Sequence, residues 1–207
     1  SSYLAYAVSE RGQGKPDIWS DDPPDALAST AAYLARFGWQ KGGRWGDEIA
    51  LPAGFDYGLA GDRTQKPLSV WSAMGVKHPD GSDLAQQGWA ALLLPAGARG
   101  PAFLVYDNFA AIEAYNKADS YVIAVGHLAD RIAGGAPFQA PWPRDLRALT
   151  LPERIQLQSL LLEQGVYSGT PDGKVGPLTI GAVKAFQRKN GMIPDGYPSL
   201  EVLDRLR

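Results

Sequence analysis

The chain contains no cysteine among its 207 residues, which excludes disulfides, thiolate metal sites and a cysteine nucleophile. No window approaches the ~20 consecutive apolar residues of a membrane-spanning helix, and no secretory leader is visible. Only two histidines occur, His78 and His127, and neither has a Cys or second His at metal-ligand spacing. His127 falls beside an apolar stripe and reads as structural. Charge of one sign is also lacking: 20 basic and 22 acidic residues leave a net charge of −2, so nothing draws the chain to nucleic acid. What it has instead is 24 Gly, 16 Pro and 6 Trp with 45% hydrophobic residues. That composition describes a loop-rich protein with enough apolar material for a packed core. Opening at Ser1-Ser2-Tyr3 without an initiator Met, the chain reads as a mature, cleaved or trimmed product.

Tyr3 to Val8 reads as a short apolar helix, followed by a polar loop from Ser9 to Pro24. The segment from Ser9 to Asp17 has the rhythm of a calcium loop, but Arg11, Gln13 and Lys15 stand where hard oxygen ligands belong, and two cations repel Ca²⁺. No calcium is expected there. Asp25 then caps a helix carrying Leu27, Ala31, Leu34 and Phe37, ended by Gly38. Glu48 to Leu51 reads as a short strand, and residues 53–90 as an irregular lobe anchored by Trp71 and Trp89. Two apolar runs, Ala91 to Leu94 and Ala102 to Tyr106, are joined by Pro95 to Pro101, a β-hairpin pattern. All six tryptophans (Trp19, Trp39, Trp45, Trp71, Trp89, Trp142) could stack on sugar rings, yet most serve more simply as core or loop anchors.

The stretch that organises the chain is Tyr115-Asn116-Lys117-Ala118-Asp119-Ser120-Tyr121 and the segment after it. Tyr121, Ala124, Val125, Leu128, Ala129 and Ile132 recur at helical spacing. Ser120 is placed to cap this helix, and Gly134-Gly135 to stop it. Two phenols and an amide meet at its mouth, a chemistry that grips an N-acetylated sugar. Asn116 as a turn residue and both tyrosines as core is the competing reading.

Pro137, Pro141 and Pro143 make residues 137–148 a stiff linker. Beyond it, Thr150-Leu151-Pro152-Glu153 is a capping box, opening a helix whose stripe is Ile155, Leu160 and Leu161. Pro177 opens a second helix with Ile180, Val183 and Phe186. Ser199 caps a third with Leu200, Leu203 and Leu206. Three short helices make a small bundle near the lower size limit for a stable core.

The pattern Asp172-Gly173-x-x-Gly176-Pro177-x-Thr179-x-x-Ala182-Val183-x-x-Phe186-Gln187 resembles the peptidoglycan-binding module of bacterial cell-wall enzymes, over residues 149–207. Its Gly, Pro and Asp are turn-formers. Glycan contact would come from neighbours such as Tyr167, Lys174, Gln187 or Tyr197. Residues 1–143 resemble the catalytic region of lytic murein transglycosylases of the membrane-bound B type. The resemblance runs through Ser1-Ser2-Tyr3, Asp25 to Leu34, Gly38-Trp39, Trp45-Gly46, Glu48, Leu51-Pro52, Gly54-Phe55-Asp56, Gly100 to Leu104 and Asn108-Phe109. It closes on Tyr115-Asn116, Tyr121 and Ala124 to Ile132, departing from the family pattern at Ala118, where Ser is usual.

The resemblance implies a mainly helical α+β fold. A lysozyme-like transglycosylase portion (1–136), with an antiparallel β-hairpin or sheet inserted at about 45–107, precedes a C-terminal three-helix peptidoglycan-binding domain (149–207). It implies that Tyr115, Asn116 and Tyr121 line the substrate groove. The implied reaction cleaves the MurNAc-β-1,4-GlcNAc bond without water and leaves 1,6-anhydroMurNAc ends. It needs one Glu held neutral until it donates its proton. None of Glu10, Glu48, Glu113, Glu153, Glu163 or Glu201 sits in the family context of that acid, which the family supplies upstream of the Ser-Ser-Tyr motif. No catalytic residue is therefore expected in this chain. Its expected partners are peptidoglycan strands and an N-terminal segment of the same protein, with no cofactor or metal. The expected location is the periplasm or cell envelope, compatible with a membrane anchor on the intact protein. A non-catalytic peptidoglycan-binding protein and a wall-anchored scaffold are the alternatives.

Overall fold

The computed structural model describes residues 2–10, 12, 14–21 and 23–207. Ser1 of the opening motif, and Arg11 and Gln13 of the calcium-like loop, lie outside the described residues. Among those described, the helices are α1 (Ser2–Tyr6), α2 (Pro24–Arg36), α3 (Leu68–Ala73), α4 (Asp107–Glu113), α5 (Asp119–Ile132), α6 (Leu151–Glu163), α7 (Pro177–Lys189) and α8 (Leu200–Leu206). The strands are β1 (Gly46–Ile49), β2 (Lys66–Pro67), β3 (Trp89–Leu93) and β4 (Ala102–Val105). The fold is thus mainly helical with a small antiparallel sheet. It divides into two compact units, Ser1–Gly46 with Tyr106–Gly134, and Asp47–Val105 with Gly135–Arg207.

In the first unit α2 opens on Pro24, whose fixed φ suits a first helical position. Asp25 does not cap this helix. It lies in the first turn, and its carboxylate accepts the backbone N–H of Glu10 at 2.7 Å and of Asp17 at 2.9 Å, tying down the polar loop instead. The helix ends at Phe37, with Gly38 at φ +93°, a left-handed stop that glycine adopts freely. Asn108 is buried and fastens the Gly38–Gly46 loop, taking the Gln40 N–H at 2.7 Å and donating to the carbonyls of Gln40 (3.0 Å) and Gly43 (2.8 Å).

Helix α5 departs from the sequence expectation in two ways. It begins at Asp119 with Ala118 as its N-cap and no side-chain cap, so Ser120 is inside the helix. The buried residues are Val122, Ile123 and Gly126, whereas Val125, Leu128 and Ile132 of the anticipated stripe are 37%, 60% and 80% exposed. The physical cause is Trp45. Its ring occupies the space a Cβ on residue 126 would need, and its indole N–H donates to Asp130 Oδ2 at 2.7 Å. A close ring-on-glycine contact selects the packed face over the larger apolar one.

In the second unit the sheet order is β1-β4-β3-β2. The anticipated hairpin forms, with Leu92 opposite Leu104. Residues 53–90 are not wholly irregular, since β2 pairs with β3 and leads into α3. Trp71 anchors this lobe, fully buried and donating its indole N–H to Ala90 at 2.9 Å. Trp89 does not, being 59% exposed at the start of β3. The Pro-rich stretch lies along this lobe. Both oxygens of Glu48 accept backbone N–H groups, from Gln139 (2.8 Å) and Ala140 (2.7 Å), and Phe103 meets Phe138 edge to face.

The C-terminal three helices close over Leu157, Leu161, Val183, Phe186, Val202 and Leu203. The capping box at Thr150 and Glu153 forms in full, and Ser199 accepts the Val202 N–H to cap α8. The buried positions of α6 are Leu157, Gln158 and Leu161. Of the anticipated stripe Leu161 is buried, Leu160 is half-buried and Ile155 is 37% exposed.

Candidate substrate-binding site

The Tyr115-Asn116…Tyr121 motif occupies the turn between α4 and the start of α5. Here Tyr115 is 64% exposed and Tyr121 half-buried. Their rings stack, with centroids 5.9 Å apart and planes 25° from parallel. Asn116 is exposed, and its side-chain oxygen accepts the Ala118 N–H at 3.0 Å. That is the local turn bond asparagine favours, so the turn-residue reading describes part of what it does. Its amide nitrogen has no hydrogen-bond partner among the described residues.

Tyr33 on α2 is the residue that motif reading overlooked. Its hydroxyl donates to the Ala114 carbonyl at 3.0 Å, fixing the chain one residue before Tyr115. Its ring meets Tyr115 edge to face at 5.8 Å and also packs on Tyr6 and Phe37. The available signal was Tyr33's place in the same α2 segment that carries the family resemblance. The five rings form one connected set leading to an amide, a surface suited to the apolar face and polar edge of an acetamido sugar.

The four residues suggested for glycan contact in the C-terminal module divide sharply. Tyr167 and Gln187 are buried, and Tyr197 is half-buried, with burial raising its phenol's pKa. Lys174 alone is open, its side chain 87% exposed. Glu48 is a structural acceptor. Glu153 is bound by Arg147 and the Thr150 cap, which hold its carboxyl well below the usual range. Both are therefore unsuited to donating a proton. Among the described residues no three His, Cys, Asp or Glu side chains gather as metal ligands, and no helix is long and apolar enough to cross a membrane.

A mainly helical fold with a small antiparallel sheet and a capped three-helix module at its C-terminus sets the class, and comparison with known proteins narrows it. Residues 1–130 match the Transglycosylase SLT domain, and residues 150–206 match a peptidoglycan binding domain. The chain belongs to the SLT transglycosylase family. It is 34% identical over 135 residues to the membrane-bound lytic murein transglycosylase B of Escherichia coli (strain K12), covering 64% of this chain and 36% of that protein. It is similar over its whole length to SltB3 from Pseudomonas aeruginosa, crystallised with NAG-anhNAM-pentapeptide, at 47% identity and a TM-score of 0.94. SltB1 from the same organism matches at 28% identity over 64% of the chain, with a TM-score of 0.51. The chain spans 56% of the SltB3 chain, about half.

Proposed function

We propose that these residues form one wall of the substrate groove, and the wall-binding module, of a lytic murein transglycosylase. Tyr115 and Tyr121 hold a sugar ring, and the Asn116 amide donates to an acetamido or hydroxyl oxygen. The MurNAc-β-1,4-GlcNAc bond breaks as a Glu protonates its oxygen. The 6-hydroxyl of the same MurNAc then attacks C1, returning its proton to that carboxylate, and leaves a 1,6-anhydro end. The Glu belongs to a segment preceding Ser1, and the reaction takes place in the periplasm or cell envelope. The single observation that carries this reading is the pairing of stacked phenols, one exposed and one half-buried, with an exposed amide whose nitrogen is unpartnered among the described residues, in a family whose relative was crystallised with NAG-anhNAM-pentapeptide.

The test is product analysis of the intact protein on purified sacculi. Anhydro-muropeptides, lighter by one water than hydrolysis products, are expected. Asn116→Ala should lower kcat/KM by the equivalent of about 1–3 kcal/mol, the cost of a lost hydrogen bond in a desolvated site, and Tyr121→Phe should lower it less. Full activity in both variants would return Asn116 to a turn residue only. The 207-residue chain alone should sediment with sacculi without cutting them, and anhydro ends released by it alone would overturn the assignment of the acid.

A further inference from the structure

The C-terminal module contains one structural device twice. In the first copy, Gln158 of α6 is fully buried. Its Oε1 accepts the Gly173 N–H at 2.7 Å, and its Nε2 reaches Asp172 Oδ1 at 3.5 Å. In the second, Gln187 of α7 is buried. It takes the Gly196 N–H at 2.9 Å and donates to Asp195 Oδ1 at 2.7 Å. Each glycine follows a Pro-Asp pair and sits at nearly the same positive φ, +74° and +75°. Each aspartate accepts the N–H two residues on at 2.9 Å. Each glycine packs on the side chains seven and three residues before its glutamine. These are Leu151 and Ile155 in the first copy, Ile180 and Lys184 in the second.

The second copy is occupied by the protein's own lobe. Asp195 Oδ2 accepts the Ala98 N–H at 2.8 Å. A Cβ on Gly97 would lie 2.9 Å from the Tyr197 Cβ, and one on Gly61 would lie 2.7 Å from Ile180 Cγ2. The Lys184 ammonium donates to the carbonyls of Gly58 (2.8 Å) and Ala60. Face two therefore reads peptide main chain, through an acceptor and a donor, where that chain consists of Gly and Ala.

The first copy, face one, presents the same turn, with Ile155 where the second has Lys184, and no hydrogen bond from the lobe reaches it among the described residues. Leu151 is 52% and Val175 41% exposed, and Asp172 is exposed. Among the described residues Asp172 Oδ2, equivalent to the atom that holds Ala98, has only a long 3.7 Å contact to Lys174, whose side chain is 87% exposed. Lys174 stands where Tyr197 stands in the other copy and adds a cation. From this twinning we propose that face one is the ligand site of the module and takes the peptide branch of peptidoglycan. That branch is a short alanine-rich peptide bearing free carboxylates. Asp172 Oδ2 accepts a main-chain N–H or the amine of the diamino acid, Lys174 pairs with a carboxylate, and alanine methyls lie on Leu151, Ile155 and Val175. The proposal rests on the wall-binding reading given above.

The experiment titrates the full 207-residue chain, labelled with nitrogen-15, with the pentapeptide L-Ala–D-Glu–meso-diaminopimelate–D-Ala–D-Ala, and sediments the same chain with sacculi. Saturable shifts should centre on residues 151–155 and 172–178. Asp172→Asn keeps the turn acceptor while removing the outward carboxylate oxygen. It should weaken pentapeptide binding about tenfold, as expected for one charge-assisted bond, and Lys174→Ala should do the same. Glu201→Ala, elsewhere on the module, should change nothing. If shifts map elsewhere, or both variants bind like the wild type, face one is not the site. Sacculus binding that persists in that case leaves the wall-binding reading standing. A wild-type chain that fails to sediment overturns that reading and this one with it.

Discussion

A methyl group added at residue 126 would sit 2.5–2.7 Å from three ring atoms of Trp45, closer than carbon atoms approach. Alanine normally favours a helix over glycine by about 1 kcal/mol, but here the clash opposes it. The indole cannot swing away without giving up its bond to Asp130. Overpacking of this kind costs about 1–3 kcal/mol, so Gly126→Ala should lower the melting temperature, by about 2–4 °C per kcal/mol of net loss in a chain this size. A calorimetric scan showing equal or higher Tm would mean the ring-on-glycine contact does not select the packed face of α5. Sequence periodicity could not see this contact, because Trp45 and Gly126 lie far apart in the chain and periodicity counts only apolar mass along one helix.

Single elements were more legible where their signals are local. The Thr150 capping box, Pro177 at a helix start, and the glycine stops at 38 and 134 depend on neighbours within a turn, and they form as their residues dictate. The same locality makes α6 testable by pH. Arg147 first, then the Thr150 backbone N–H, hold the Glu153 carboxyl below its ordinary value. A depressed folded pKa adds stability above the unfolded value, about 4.3. That contribution is lost as pH falls through and below it. Melting curves from about pH 6 down to pH 3 should therefore decline more steeply for the wild type than for Glu153→Gln. Parallel declines would remove Glu153 as a source of acid sensitivity. Where elements were misread, the signal was short or two-sided. The six-residue α3 is too brief for a periodic pattern, and Ser120 and Asp25 each gave way as cap to a neighbouring residue.

At the scale of the whole chain, the lobe and the C-terminal module belong to one compact unit, held in part by a single buried cation. Lys184 is 8% exposed, with its ammonium on the Gly58 and Ala60 carbonyls. Replacing it with Met preserves volume and stem packing but removes charge-assisted bonds worth about 1.5–3 kcal/mol. Lys184→Met should therefore loosen the module, seen as faster proteolytic cleavage within residues 137–148 while the module's own helices stay folded. Unchanged cleavage would show that the ammonium is dispensable there. Lys184 carried no such signal in the chain, where it reads as one more polar residue on an amphipathic helix. What the sequence determined by itself was the family and the locally signalled elements, because turn, cap and motif residues act over a few positions and keep their spacing. Only the tertiary structure decided which face of α5 is packed, that the two Pro-Asp-Gly turns are twins, and that one is occupied while the other stands open. Those outcomes depend on contacts between residues distant in the chain, and no local pattern encodes them.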